Sequence, residues 1–119
     1  MFDTTTPVTI RGTLRNAAIM APHSILYVEQ TTDEGTIVWA VEGPAPNGLA
    51  RRGFGTETFR EGDVFEACGY LLRDQTANPF PDGRLLVAEV LVMPDGGARL
   101  WSPYGQELCR QQGTYTIVE

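Results

Sequence analysis

Thr36-Ile37-Val38-Trp39-Ala40-Val41-Glu42-Gly43-Pro44-Ala45-Pro46-Asn47-Gly48-Leu49-Ala50-Arg51-Arg52-Gly53 carries more structural information than any other run of the chain. Its first part is β-branched and aromatic, as strands are. Gly43-Pro44-Ala45-Pro46 then halts the sheet, and Asn47 to Gly53 fits one or two helical turns. Gly53 is placed to end that helix in a left-handed conformation, with Arg51 and Arg52 near its negative terminus. Upstream, Ser24 to Gln30 alternates Ile25 and Tyr27 against Leu26 and Val28, and Thr31 to Gly35 supplies a turn, so the two strands form a hairpin. Before it, Val8, Ile10 and Leu14 alternate with Thr9, Arg11 and Thr13. Gly12 interrupts that run, which predicts a bulge or bend where a long strand joins two faces of a barrel. Downstream, Val64 to Leu72, Arg84 to Met93 and Ala98 to Trp101 read as strands separated by Asp82-Gly83 and Pro94-Asp95-Gly96-Gly97 turns, and Tyr115 to Val118 reads as an additional edge strand. The order predicts an all-β fold: a small five- to six-stranded OB-like barrel with one short helix between strands 3 and 4. A β-sandwich is the alternative, but it normally has about seven strands and needs no helix there.

With 119 residues and a hydrophobic share of 42%, the chain is long enough for one core. Residues 1–119 are read as a single domain, with 102–119 a C-terminal extension. All nine basic residues are arginine against fifteen carboxylates, giving a net charge of -6. Nucleic acid and anionic lipid are bound by basic clusters, so neither is an expected partner. The longest apolar runs, such as Ala17 to Ala21 and Leu85 to Ala88, are far short of the roughly 20 residues of a membrane helix, and no membrane insertion is expected. The opening Met1-Phe2-Asp3 suits an exported protein whose leader has been replaced by an initiator methionine, and a cytosolic start reads the same way. Cys68 and Cys109, 41 residues apart, are too distant for a CxxC motif. They are either a disulfide or a buried small hydrophobe and a free thiol.

Phe2-Asp3, Pro7-Val8-Thr9-Ile10-Arg11-Gly12-Thr13, Ala21-Pro22-His23, Trp39 to Gly43, Pro46 to Gly53 and Glu61-Gly62-Asp63 together resemble a group of small bacterial secreted proteins. Their pattern is close to FD..KPVTLTGTV, then NPH, W.lEGGSPNALaRRGW and LKPGD. The resemblance runs from Phe2 to about Leu100, and the Pro-Asn to Arg-Arg-Gly stretch is its most specific portion. That group is a domain-of-unknown-function family. The resemblance implies a periplasmic or secreted OB-like barrel and carries over no activity, substrate or catalytic residue. Members of the group carry a signal peptide and a His-His-Ser element before the Phe-Asp pair, which here follows Met1 directly; Asn-Pro-His is Ala21-Pro22-His23. A metal role that depends on those histidines is therefore not carried over by the resemblance.

His23, the sole histidine, is read as a structural plug of the barrel mouth, a ligand contact or a general base. Trp39 is expected to anchor the core, on the face opposite Glu42; Glu42 is expected to pair with Arg51 or Arg52 or to face a cleft. Tyr27, Phe54, Tyr70, Phe80, Trp101 and Tyr104 offer aromatic surface for stacking, since OB-type barrels bind ligands on their second and third strands. Met20, His23, Met93 and a cysteine are the residues soft copper would require, but their spacing does not enforce convergence, so neither metal nor cofactor is expected. No GxSxG, HExxH, Walker or dinucleotide motif occurs. The leading expectation is a non-enzymatic exported binding or accessory module for a small molecule, sugar or peptide, sited at His23, Tyr27, Trp39, Glu42, Asn47 and Arg51. The others are an enzyme using His23 with Glu42 or Asp63 on a small hydrophobic substrate, and a structural subunit that pairs strand edges with copies of itself or a protein partner.

Overall fold

A computed structural model describes residues 7–71, 83–101 and Cys109. The elements are β1 (Val8–Ala18), β2 (Ser24–Thr32), β3 (Gly35–Gly43), α1 (Pro46–Arg51), β4 (Val64–Leu71), β5 (Gly83–Val92) and β6 (Ala98–Leu100). The strands run β3-β2-β1-β4-β5-β6, and β3 also pairs with β5. Five strands therefore form a closed mixed barrel, with β6 added beside β5. Every pairing is antiparallel except β3–β5, which is parallel from Val38 opposite Gly83 to Glu42 opposite Val87. This is the OB-like architecture the sequence predicts, with its one α-helix between the third and fourth strands. The expected strand at Tyr115–Val118 and the extension 102–119, apart from Cys109, lie outside the described residues.

β1 serves two neighbours. Val8 to Thr13 pairs with β4, and Thr13 to Ala18 pairs with β2. The transfer needs a bend, and the strand supplies it in two places. At Gly12 the backbone of Glu29 occupies the space a Cβ would fill. The register then shifts between Leu14 and Asn16, so the bulge falls at Arg15 rather than at the glycine. On the opposite side, β4 and β5 shift register between Cys68 and Gly69, which leaves Glu89 as the extra residue of β5.

Alternation turns Ile10, Leu14, Leu26, Val28, Trp39, Val41, Phe65, Ala67, Leu86, Ala88 and Leu91 into a continuous buried core. α1 is only six residues long, too short to persist without packing, and Leu49 is the side chain it buries. Pro46 opens it, and Gly53, at φ 84°, follows its end as expected. Phe54 and Phe59 stack on each other and meet Trp101 edge-to-face, with the Trp101 ring 5.3 Å from Phe54 and 5.7 Å from Phe59. The Trp101 indole N–H donates to the Glu42 carbonyl at 3.0 Å. Its ring lies flat on Gly43, where any Cβ would collide with it.

A second, smaller buried cluster of Cys68, Val90, Ala98 and Cys109 lies apart from this core. Cys68 and Cys109 are disulfide-bonded, their Cα atoms 6.0 Å apart, which settles the alternatives left by their spacing. No helix among the described residues is long and apolar enough to cross a membrane.

Cross-linking residues 41 apart removes loop entropy from the unfolded chain. The Cys68→Ser, Cys109→Ser double variant is therefore expected to unfold with about 4 kcal/mol less free energy. Urea melts of the two proteins measure the difference, and superimposable melts would refute a stabilising role.

Candidate functional site

With the barrel interior filled by side chains, recognition surfaces must lie outside it. The outward residues of β2 and β3 are set by register: Ile25 lies opposite Glu42, Tyr27 opposite Ala40, and Glu29 opposite Val38. On its other side Tyr27 is paired with Asn16, the first residue after the β1 bulge. The extra residue brings Arg15 and Asn16 both to the exposed side, whereas an unbroken strand would have turned one of them inward. Arg15, Asn16, Tyr27 and Val38 consequently line a groove of about 330 Å³. Arg15 is held there by Glu29, Nε to Oε2 at 3.2 Å. Both partners are well exposed, so this pair orients the guanidinium more than it stabilises the fold.

Further along the same face, the His23 Nδ1 lies 3.3 Å from Glu42 Oε1. His23 follows the cis Ala21–Pro22 peptide, immediately before β2. Its side chain is 46% exposed and that of Glu42 20%, so the dyad is open to solvent on the histidine side. Ser24 faces the other way. It is fully buried, and its Oγ has no hydrogen-bond partner among the described residues.

The six residues singled out in the sequence do not converge on one cavity. Tyr27 and Glu42 share the outer face of β2 and β3, and His23, just before β2, meets Glu42. Trp39 is buried in the barrel core, as expected of an anchor, its indole N–H donating to Gln30 Oε1 at 3.0 Å and its ring 5.8 Å from the Arg84 guanidinium. Asn47 and Arg51 lie one turn apart on exposed α1 positions. Glu42 pairs with His23, not with Arg51 or Arg52 as the sequence suggested. Asp63 lines a different cleft, beside Arg60 and Arg99.

The expected stacking surface is also smaller. Phe54, Tyr70 and Trp101 are buried, because the first and last plug the barrel and Tyr70 belongs to the covered side of β4. Phe80 and Tyr104 lie outside the described residues. Tyr27 is left as the half-buried aromatic of the open face. Sequence reading missed Arg15, Asn16 and Val38, whose convergence depends on the bulge. It also missed Glu89, fully buried at the β5 bulge, whose Oε1 accepts the Tyr70 hydroxyl at 2.7 Å. A lone acid inside the apolar run Leu85 to Val92 was the available signal.

A family model described as a family of unknown function, DUF6152, matches residues 1–80. The chain belongs to that family. The match takes in β1 to β4 with α1, and therefore every residue of the groove and the His23–Glu42 dyad. No curated protein matches the chain. The DUF6152 description assigns no activity, so the chemistry of this face has to be argued from its own geometry.

Because the buried Ser24 hydroxyl has no partner among the described residues, Ser24→Ala is expected to leave the protein as stable or to stabilise it by about 1 kcal/mol. Trp101→Ala, by contrast, is expected to cost about 3 to 5 kcal/mol. Chemical denaturation measures both, and a marked loss for Ser24→Ala would show that its hydroxyl is engaged.

Proposed function

We propose that this DUF6152 chain is an exported, non-enzymatic binding or accessory module for a small molecule, sugar or peptide, which it holds on the outer face of β1, β2 and β3. The carrying observation is the groove in which Tyr27 lies between Asn16, Arg15 and Val38. An aromatic ring offers a flat apolar contact, while the neighbouring amide and guanidinium fix orientation through hydrogen bonds. This is the region on which OB-type barrels hold their ligands. The acidic balance of the chain favours a neutral or mixed-charge ligand over an oligonucleotide. Export to the periplasm or beyond the cell draws support from the Cys68–Cys109 disulfide, because such bonds persist in oxidising compartments. The bacterial secreted pattern that the sequence resembles agrees with it.

One observation favours a second reading. A carboxylate beside a half-exposed imidazole is an arrangement used for general base catalysis, and Glu42 stands so beside His23. Self-assembly through strand edges draws less from the geometry, because barrel closure leaves three-residue β6 as the outermost strand of the sheet order.

Thermal shift against oligosaccharides, peptides and small hydrophobes tests the binding reading. A true ligand at about 100 times its Kd is expected to add about 2.7 kcal/mol. Tyr27→Ala is expected to weaken it by about 2 kcal/mol while the free protein melts nearly unchanged. Failure of the whole panel, or binding indifferent to Tyr27, counts against the groove. His23→Ala separates the two readings, since a binding module retains its ligand while an enzyme loses turnover.

A further inference from the structure

A second cleft lies away from the Tyr27 groove, between the chain leading into β4 and the turn joining β5 to β6. It measures about 580 Å³, within the usual range for small-ligand sites. Five charged side chains line it: Glu57, Arg60, Asp63, Asp95 and Arg99, with Met93 supplying apolar wall. Opposite charges around one cleft usually neutralise one another. Here none of the five forms an ion pair with another described residue; the ion pairs among the described residues are Arg15–Glu29 and His23–Glu42.

Two of the five are held in place. The Arg99 guanidinium lies 4.5 Å from the Phe54 ring centroid and donates through Nη2 to the Arg52 carbonyl. One face and one donor are thus committed to the protein, and a side chain of high rotational freedom is already ordered before any ligand arrives. Asp95 is fixed by the Gly97 N–H, which donates to its Oδ1 at 2.8 Å. Arg60 is exposed at the rim. The cleft therefore presents one ordered guanidinium, that of Arg99, together with the exposed Arg60 for a carboxylate, and carboxylates for a cationic group.

We infer that this cleft binds a zwitterionic ligand of short-peptide size, its carboxylate held by Arg99 and Arg60 and its ammonium by Glu57, Asp63 or Asp95. Guanidinium and carboxylate meet through two parallel hydrogen bonds, which gives such a site directional selectivity as well as attraction. A purely cationic ligand would leave both arginines without an anion, and a purely anionic one would meet three carboxylates. The site is separate from the Tyr27 groove and stands or falls independently of it.

The experiment is an NMR titration of the oxidised full chain with alanyl-alanine, its N-acetylated form and its C-terminal amide. Unblocked dipeptide is expected to shift the amides of Arg60, Asp95, Gly97 and Arg99, and blocking either end is expected to weaken binding by at least about tenfold. Arg60→Gln, at an exposed position, is expected to weaken it by about tenfold with an unchanged melting temperature. Arg99→Lys keeps the charge but loses the paired donors and is expected to weaken it comparably. Absence of shifts up to about 10 mM dipeptide, far above a useful affinity, overturns the inference. So do equal affinities for the blocked forms, or shifts confined to Asn16 and Tyr27, the last of these supporting the groove instead.

Discussion

The barrel exists because β3 and β5 pair in parallel, Val38 to Glu42 against Gly83 to Val87. Every other pairing joins antiparallel strands and could exist in an open, curled sheet. This seam alone converts the sheet into a ring, and it is a costly contact to form, since it closes a long stretch of chain. The intervening segment therefore has to contribute something in return. It contributes α1, whose Leu49 enters the same core the seam encloses. Closure also demands curvature, which comes from the Arg15 bulge on one side and the Glu89 bulge on the other. Those two irregularities then determine what the outside of the barrel can do.

Closing the ring creates an end that must be filled. Trp101 fills it, and the fit depends on Gly43, the last residue of β3, having no side chain. The indole N–H finds the Glu42 carbonyl, so a large buried aromatic ring leaves no polar atom unpaired. Phe54 and Phe59 complete the plug. An interior packed in this way has no room for a ligand, which moves recognition to the outer surface and to the clefts between the connecting segments.

The strand order and the helix were legible because alternation and glycine-proline punctuation are local signals. Val8 to Leu14, Ser24 to Gln30 and Thr36 to Glu42 each declare a period of two, and the Gly43-Pro44-Ala45-Pro46 break declares the change to α1. The site was legible only in part. Tyr27 and Glu42 share a face because they follow regular strand geometry, and the opposition of Trp39 to Glu42 follows from the same rule. The fates of Phe54, Tyr70 and Trp101 were not readable, because an aromatic side chain looks alike whether it lines a surface or plugs a barrel. Their burial depends on which distant segment covers them, as Trp101 shows by meeting Glu42 and Gly43 from far along the chain. Arg15 and Glu89 were hidden for another reason: each is the extra residue of a bulge, where alternation itself fails.

The two bulges give the outer surface two different characters. On the β4–β5 side, Cys68, Tyr70, Val87, Glu89 and Val90 point away from the core and are nevertheless buried, and the disulfide holds Cys109 against that side. A carboxylate can be tolerated there because the Tyr70 hydroxyl donates to it. On the β1–β3 side, Arg15, Asn16 and Glu29 remain accessible around Tyr27. One outer face of the barrel is thus buried and the other open to solvent. At the barrel end Phe54 and the Arg52 carbonyl fix the Arg99 guanidinium, which forms no ion pair among the described residues, so the packing that fills that end also sets the position of this charge.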